Sequence, residues 1–408
     1  VEITVLLLAF LDAMAAATRS DRSVDPWENA HMSEFDCVIL GGGIAGASLA
    51  WQLAGFHRVA ILERETQCGY HTTGRSAALY LESYGPAGVR ALTRASRGFL
   101  CSPPDGFAEV PLLAPRGALH LAFQGQEILL KNSLAELSAV CPDLVVLDAA
   151  AAWELAPCLR RDRLIGGLLE PGAQDMDVDA LHQGYLRGAR RLGAQVRTDI
   201  RIESVARANG NWRLRLADGS GIDTPLLVNA TGAWADETAR LCGARPVGVE
   251  PRRRSAFTFE AGADDEPSRW PALIAMDEGW YIKPGHGRLL GSPANADPTT
   301  PHDVAPEEMD IATAIYRIEE ATRLTIRRPT STWAGLRTFA PDGEMVIGFD
   351  PQCEGFFWLA GQGGYGIQSA PGASDLAACL IRGTPLSSVL IRSGVSPDAF
   401  SPARFHPT

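Results

Sequence analysis

The stretch Gly41-Gly-Gly-Ile-Ala-Gly46 constrains this chain more than any other. It follows the mostly apolar residues 35–40 and precedes Ala47-Ser-Leu-Ala-Trp-Gln-Leu53, so the segment reads as a buried strand, a tight turn and a helix. A second apolar run, Arg58-Val-Ala-Ile-Leu62, closes on Glu63. A β-α-β unit is thus complete within about 30 residues, the span a dinucleotide fingerprint requires. Gly41 permits the turn, Gly43 lets the backbone approach a pyrophosphate, and Gly46 lets the helix pack on the strand. The helix N-terminus offers unpaired N–H groups to phosphate oxygens. Glu63 stands where a carboxylate accepts from both hydroxyls of an adenosine ribose. Alone, the glycine pattern is an ordinary turn. Its place between strand, helix, strand and acid gives it meaning.

The 408 residues are 46% hydrophobic and 21% charged, which is a globular mix. At roughly 150 residues per domain, the length predicts two or three units. A net charge of −11 argues against nucleic acid as a partner, and Arg252-Arg253-Arg254 is too short a basic cluster to alter that. The eight cysteines show no C-x-x-C and read as reduced thiols; the eight histidines show no metal-ligand spacing. Residues 5–11 form an apolar run with no basic flank, too short to cross a bilayer, so no integral membrane segment is expected. Met32-Ser-Glu-Phe-Asp36 resembles the usual start of an enzyme whose first strand begins within a few residues. Residues 1–31 are therefore expected to be an N-terminal extension, disordered or not native, with a signal peptide as the other reading.

Downstream, residues 117–123, 212–216 and 255–260 alternate with a period of two, as antiparallel strands do, while residues 179–191 carry apolar positions on one helical face. Residues 226–234 and 356–360 are apolar runs that close on glycine-bearing loops, and residues 374–381 are helical in pattern. The expected fold is α/β: a Rossmann-like nucleotide-binding domain with an inserted antiparallel-sheet α+β domain. The first takes residues 33–110, 165–250 and 330–400, and the second takes 111–164 and 251–329. A nicotinamide cofactor needs only the first β-α-β unit. Here a polar loop, Gly69-Tyr-His-Thr-Thr-Gly-Arg-Ser-Ala-Ala78, and two further glycine loops at Gly232 and at residues 361–366 would wrap a longer cofactor, which points to FAD.

The fingerprint, His71-Thr-Thr-Gly-Arg-Ser-Ala-Ala78, Val228-Asn-Ala-Thr-Gly-Ala-Trp234 and Gly361-Gln-Gly-Gly-Tyr-Gly-Ile-Gln368 together resemble the FAD-dependent D-amino-acid oxidase-like superfamily. The nearer likeness is to bacterial D-arginine dehydrogenase-type D-amino-acid dehydrogenases, over nearly all of residues 34–408. The resemblance implies hydride transfer from a D-amino acid Cα to flavin N5, followed by hydrolysis of the imino acid to a 2-oxo acid and ammonia. The acceptor would be a quinone or O₂. The cytoplasm is the expected compartment, against the inner face of the membrane if the acceptor is a quinone.

The implied cofactor contacts, beside the three fingerprint glycines and Glu63, are Ile44, Ala45 and Arg64, then Thr72, Thr73, Arg75, Ser76 and Ala77. Gly232, Gly363, Gly364, Tyr365, Gly366, Ile367 and Gln368 complete them. On the substrate side, the resemblance implies Arg337 as the carboxylate clamp, Arg254 and Tyr281 as further contacts, the Gly364 carbonyl as acceptor for the amine, and Tyr84 as a mobile cover. Read without it, Arg337 is equally a structural ion pair, Tyr281 a core-strand residue, Arg254 part of a solvated face and Tyr84 a loop residue.

The chain departs from the arginine-preferring pattern at Ala118, where a glutamate would meet a cationic side chain, and at Leu79 and Leu81, which replace polar residues. A neutral or apolar D-amino acid is therefore expected over D-arginine, unless Glu82 faces inward. Two other readings stay open: a flavin enzyme acting on glycine, sarcosine, proline or another secondary amine, and a flavin-binding scaffold without turnover.

Overall fold

A computed structural model describes residues 32–262, 265–285 and 287–405. The expectations for residues 1–31 lie outside the described residues. The strand Cys37–Leu40 is buried on both sides and lies at the centre of a six-stranded sheet. In spatial order the sheet runs Gln195–Arg197, Val59–Leu62, Cys37–Leu40, Leu227–Asn229, Phe356–Ala360 and Val346–Phe349. All neighbours are parallel except the last pair. Parallel strands covered on both faces read as continuous apolar runs, as these do.

One face of this sheet packs on the helices Ile44–Leu53, Ala87–Cys101, Val178–Arg191 and Ala370–Arg382. Asp177 caps the third of these by accepting from the Ala180 N–H at 2.8 Å, which sets where that helix begins. The opposite face, from Val38, Leu40, Phe356 and Trp358, is covered by a small four-stranded sheet. That cover uses the alternation of the strand Asn211–Leu216, whose Trp212, Leu214 and Leu216 are buried while their neighbours are not.

A nine-stranded sheet stands beside this unit. Its order is Ser331–Phe339, Glu250–Phe259, Arg288–Ser292, Tyr281–Gly285, Ala272–Ala275, Ala118–Phe123, Leu164–Glu170 and Val145–Asp148, with Asp297–Pro298 also pairing the Glu250–Phe259 strand. Period-two alternation splits it into two faces. Leu119, Leu121, Phe257, Phe259, Leu273 and Ile282 pack against the helix Glu308–Ala321. Their in-between neighbours, among them His120, Arg254 and Tyr281, face the nucleotide-binding unit.

Strand pairing moves two expected boundaries. Leu164–Glu170 pairs with Ala118–Phe123, and Ser331–Phe339 pairs with Glu250–Thr258, so both strands belong to the second sheet rather than to the nucleotide-binding segments 165–250 and 330–400. The second sheet is also mixed, because Ala118–Phe123 runs parallel to Ala272–Ala275. A parallel pair needs a long crossover, and residues 124–271 supply it. All eight cysteines are free.

Candidate active site and cofactor groove

The glycine turn is built by exclusion. Gly41 has φ +99°, and a Cβ on it would lie 2.5 Å from the Ala230 carbonyl oxygen; a Cβ on Gly46 would lie 2.0 Å from the Gly41 oxygen. At Gly43, by contrast, a Cβ would meet only Thr73 Oγ1 at 3.3 Å, so the missing side chain leaves a concavity at the helix N-terminus. Glu63 is fixed at its edge: Gly42 N–H donates to Oε2 at 2.7 Å and Glu65 N–H to Oε1 at 2.9 Å. Each carboxylate oxygen keeps a second acceptor site for a ribose hydroxyl.

From this edge a cavity of about 370 Å³, walled by Gly41, Glu63, Arg64 and Trp234, runs into a second of about 120 Å³ walled by Ile44, Ala45, Gly363, Gly366 and Ile367. The two share Gly43, Thr72, Thr73, Ala230 and Gly232. Their walls fit FAD, with an acidic anchor for the ribose, a Cβ-free helix N-terminus for the pyrophosphate and a glycine-lined end for the ring system.

Several side chains expected on the cofactor line the groove and also brace its loops. Thr72 Oγ1 donates to Leu336 O at 2.7 Å, and Thr73 Oγ1 accepts from Ile44 N–H at 3.0 Å. The Arg75 guanidinium donates to Val304 O at 3.1 Å and Ala334 O at 3.2 Å and pairs with Asp303. Arg64 lies 4.5 Å over the Trp234 ring and pairs with Glu65. Ser76 and Ala77 line both the inner groove and the substrate cavity beyond it.

Gly46, Tyr365 and Gln368 line none of the three cavities. Gly46 serves helix packing, and Tyr365 packs against Tyr84 and Phe339. Gln368 bonds the backbone of Leu81 and the Thr93 hydroxyl, which ties the loop before Tyr84 to the helix Ala370–Arg382. Sequence reasoning missed His182. Its Nε2–H donates to Gly42 O at 2.9 Å from a buried position, and burial lowers its pKa, so a neutral ring props the turn. No motif marks a histidine that acts from a separate helix.

On the substrate side, three consecutive arginines have three different fates. Arg252 pairs with Glu250 at 2.6 Å, and Arg253 is held by Asp297, Asp310 and Glu307. Arg254, facing the other way from Arg253, has no ion pair among the described residues, and its Nε is buried with no hydrogen-bond partner. Burial, and then the nearby Arg337 charge, pull its pKa down to about 10. Arg337 has no carboxylate either. Its Nη1 donates to Tyr84 Oη at 3.3 Å. Gly364 lies against both groups, since a Cβ there would sit 2.6 Å from Tyr84 Oη and 2.9 Å from Arg337 Nη1. Arg254, Arg337 and Tyr281 line the inner groove and the outer cavity alike, at their junction.

The outer cavity measures about 430 Å³; Leu79, Leu81, Leu137, Ile274 and Met276 give it apolar wall, and Glu136, Glu278 and Lys283 also line it. Glu82 does not face it, because its carboxylate accepts from Tyr80 Oη and pairs with Arg97. Ala118 does not line it; wholly buried, it packs beneath Leu81 against Ala173. An unanticipated group does line it: His120, whose Nε2 lies 2.8 Å from Glu170 Oε1. Among the described residues no cluster of His, Cys, Asp or Glu is placed to hold a metal ion, and no helix is long and apolar enough to cross a membrane.

Residues 36–380 match the DAO family of FAD dependent oxidoreductases. Glycine oxidase of Bacillus licheniformis is 24% identical, covering 88% of this chain and 96% of its own. Mitochondrial dimethylglycine dehydrogenase of Rattus norvegicus is also 24% identical, over 86% of this chain but 43% of its own length, so the chain spans less than half of that relative. The crystal structure of glycine oxidase from Geobacillus kaustophilus superposes with a TM-score of 0.76 at 23% identity, over 86% of this chain and 95% of that one. The chain belongs to the DAO family of FAD-dependent oxidoreductases, and FAD is its cofactor.

Proposed function

We propose that the protein oxidatively deaminates D-amino acids with neutral or apolar side chains, giving 2-oxo acids and ammonia. The observation that carries this reading is the pair of guanidiniums, Arg254 and Arg337, that meet at the end of the cofactor groove without a counter-ion. Desolvated charges of one sign are costly unless an opposite charge joins them, and a planar fork matches a carboxylate. FAD, when bound, supplies the acceptor for the hydride from the substrate Cα. The protein's own part is placement. Arg337 and Arg254 hold the carboxylate, which takes the position near Arg337 that the Tyr84 hydroxyl fills in the free protein. The backbone carbonyl of Gly364 accepts from the substrate amine. Tyr84, part-exposed, closes over the bound substrate. The amine loses its proton before hydride transfer, so no side-chain base is required.

The large, mostly apolar outer cavity favours a substrate with a side chain over glycine. The likeness of residues 71–78, 228–234 and 361–368 to D-arginine dehydrogenase-type enzymes supports D-stereochemistry, while the leucines at 79 and 81 present apolar surface to the side chain, in a cavity that Glu136 and Glu278 also line. A second reading draws on the likeness to glycine oxidase and dimethylglycine dehydrogenase, and makes the substrate glycine, sarcosine, proline or another secondary amine. A panel of D- and L-amino acids, N-methyl amines and cyclic amines, scored with an artificial electron acceptor and an oxygen electrode, separates the two. Turnover of D-enantiomers alone is expected. Turnover confined to N-methyl or cyclic amines would sink the first reading, and dye reduction without oxygen uptake would identify a dehydrogenase.

A further inference from the structure

The face of the sheet that carries Tyr281 carries another group, which the chemistry at the arginines does not use. Tyr281 stands opposite Ile274, and Ile274 stands opposite His120. Residues paired in register share one face, and neighbouring strands lie about 4.8 Å apart, so His120 sits about 10 Å from Tyr281 along the cavity wall. All three line the outer cavity. The space between the arginines and His120 is bounded by Leu79, Leu81 and Ile274. One end of the cavity is thus built for an anion, its middle for an apolar group, and its far wall carries an imidazole.

That imidazole is anchored. His120 Nε2 and Ser83 Oγ, at 2.8 and 2.9 Å, converge on the same oxygen of Glu170, which is 3% exposed. A carboxylate that receives two donors places a hydrogen on Nε2, so in the neutral ring Nδ1 keeps a free lone pair. Nδ1 has no partner among the described residues. His120 lines the outer cavity, and Nδ1 is its unpaired ring nitrogen. Glu170, Ser83 and the strand backbone hold the ring, and an acceptor is presented in the cavity wall beside Ile274 and Met276. A burial this costly for the Glu170 carboxylate does no packing work that an apolar residue would not do better.

We propose that His120 Nδ1 determines side-chain specificity, selecting substrates whose apolar side chain ends in a neutral hydrogen-bond donor such as a phenol hydroxyl. The proposal rests on the reading that Arg254 and Arg337 hold the substrate carboxylate. A ligand that satisfies both ends pairs the arginines and Nδ1 together, whereas a purely apolar side chain leaves Nδ1 desolvated without a partner.

The test uses two carboxylates that lack an amine, so neither turnover nor stereochemistry enters. The full-length, FAD-loaded protein is titrated calorimetrically with 3-phenylpropanoate and with 3-(4-hydroxyphenyl)propanoate. The phenol is expected to bind roughly tenfold more tightly, the difference one buried hydrogen bond makes. In His120→Leu that preference disappears while affinity for 3-phenylpropanoate stays within about twofold. Since the single substitution strands a buried carboxylate, the double variant His120→Leu/Glu170→Met, which removes the charge with the ring, gives the same reading if the single variant does not fold. Equal affinities in the unmodified protein, or a preference that survives in either variant, overturn the role of His120 and leave the carboxylate site standing. Failure of both ligands to bind overturns the carboxylate reading and this proposal together.

Discussion

Arg254 and Arg337 lie diagonally across two paired strands, the first opposite Gly335 and the second opposite Arg252, and among the described residues neither guanidinium has an ion-paired carboxylate. Diagonal neighbours on one sheet face are within reach of long side chains, so the pair forms one anion-binding surface. Arg337→Lys keeps the charge but loses the fork. We expect kcat/KM for a D-amino acid to fall roughly 100-fold, mostly through KM, because carboxylate binding is shared by ground and transition states. FAD content should be unchanged. Steady-state kinetics beside the flavin absorbance of the purified variant decides this, and a loss confined to kcat would place Arg337 at the reacting centre instead.

The same pair predicts an exchange of stability for binding. Burial and Arg337 depress the Arg254 pKa to about 10 from its ordinary 12.5. Between those values the unfolded chain holds a proton that the folded chain has released, so stability rises with pH across that window; below about pH 10 the cost of the buried charge is fully present. At pH 8 the ligand-free Arg254→Met variant should therefore melt a few degrees, roughly 2–5 °C, above the unmodified protein. Its melting temperature should no longer respond to 3-phenylpropanoate, while that of the unmodified protein rises with it. A lower melting temperature for Arg254→Met would mean that Arg254 is structurally paired.

Two glycines of one motif should fail in different ways. A Cβ on Gly46 meets the backbone oxygen of Gly41 at 2.0 Å, so Gly46→Ala must displace the helix and is expected to destabilise the apoprotein by about 2 kcal/mol or more. Gly43 has φ −73°, open to any residue, and its Cβ would meet only a hydroxyl. Gly43→Ala should leave apoprotein stability within about 1 kcal/mol and weaken FAD roughly tenfold or more by filling the concavity. Denaturant melts of apoprotein with FAD titrations distinguish the two; equal loss of stability would show that Gly43 is a packing glycine as well.

What the sequence makes legible here is whatever is local. The glycine turn, its helix and Glu63 lie within one β-α-β unit, and their spacing carries the physics. Arg254 is different, because nothing in Arg252-Arg253-Arg254 distinguishes three identical side chains. Their fates are set by partners on other segments: Asp297, Glu307 and Asp310 neutralise Arg253 and none of them reaches Arg254. His120 and Glu170 meet across a strand pair 50 positions apart, which no local pattern encodes. Likewise the strand Ser331–Phe339 carries no mark of which sheet it joins. Arg337 was identifiable only through the family resemblance.

Ala118 shows how a position can mislead when only its residue type is read. A glutamate there would meet a cationic side chain in the arginine-preferring pattern, but here Ala118 is fully buried and Leu81 and Ala173 close over it. Restoring the acid with Ala118→Glu puts an unpartnered carboxylate under a leucine. It should therefore destabilise the protein by roughly 3 kcal/mol or more without conferring D-arginine turnover. Leu81 itself walls the cavity, so Leu81→Glu places a carboxylate on its surface. That variant should raise the ratio of kcat/KM for D-arginine over D-leucine about tenfold or more, as a new charged partner does in a partly desolvated site. Thermal melts and the two-substrate ratio for both variants settle the matter. An Ala118→Glu protein that melts normally and gains D-arginine activity would show that the cavity opens beneath Leu81, and that side-chain selection begins one layer deeper in the sheet.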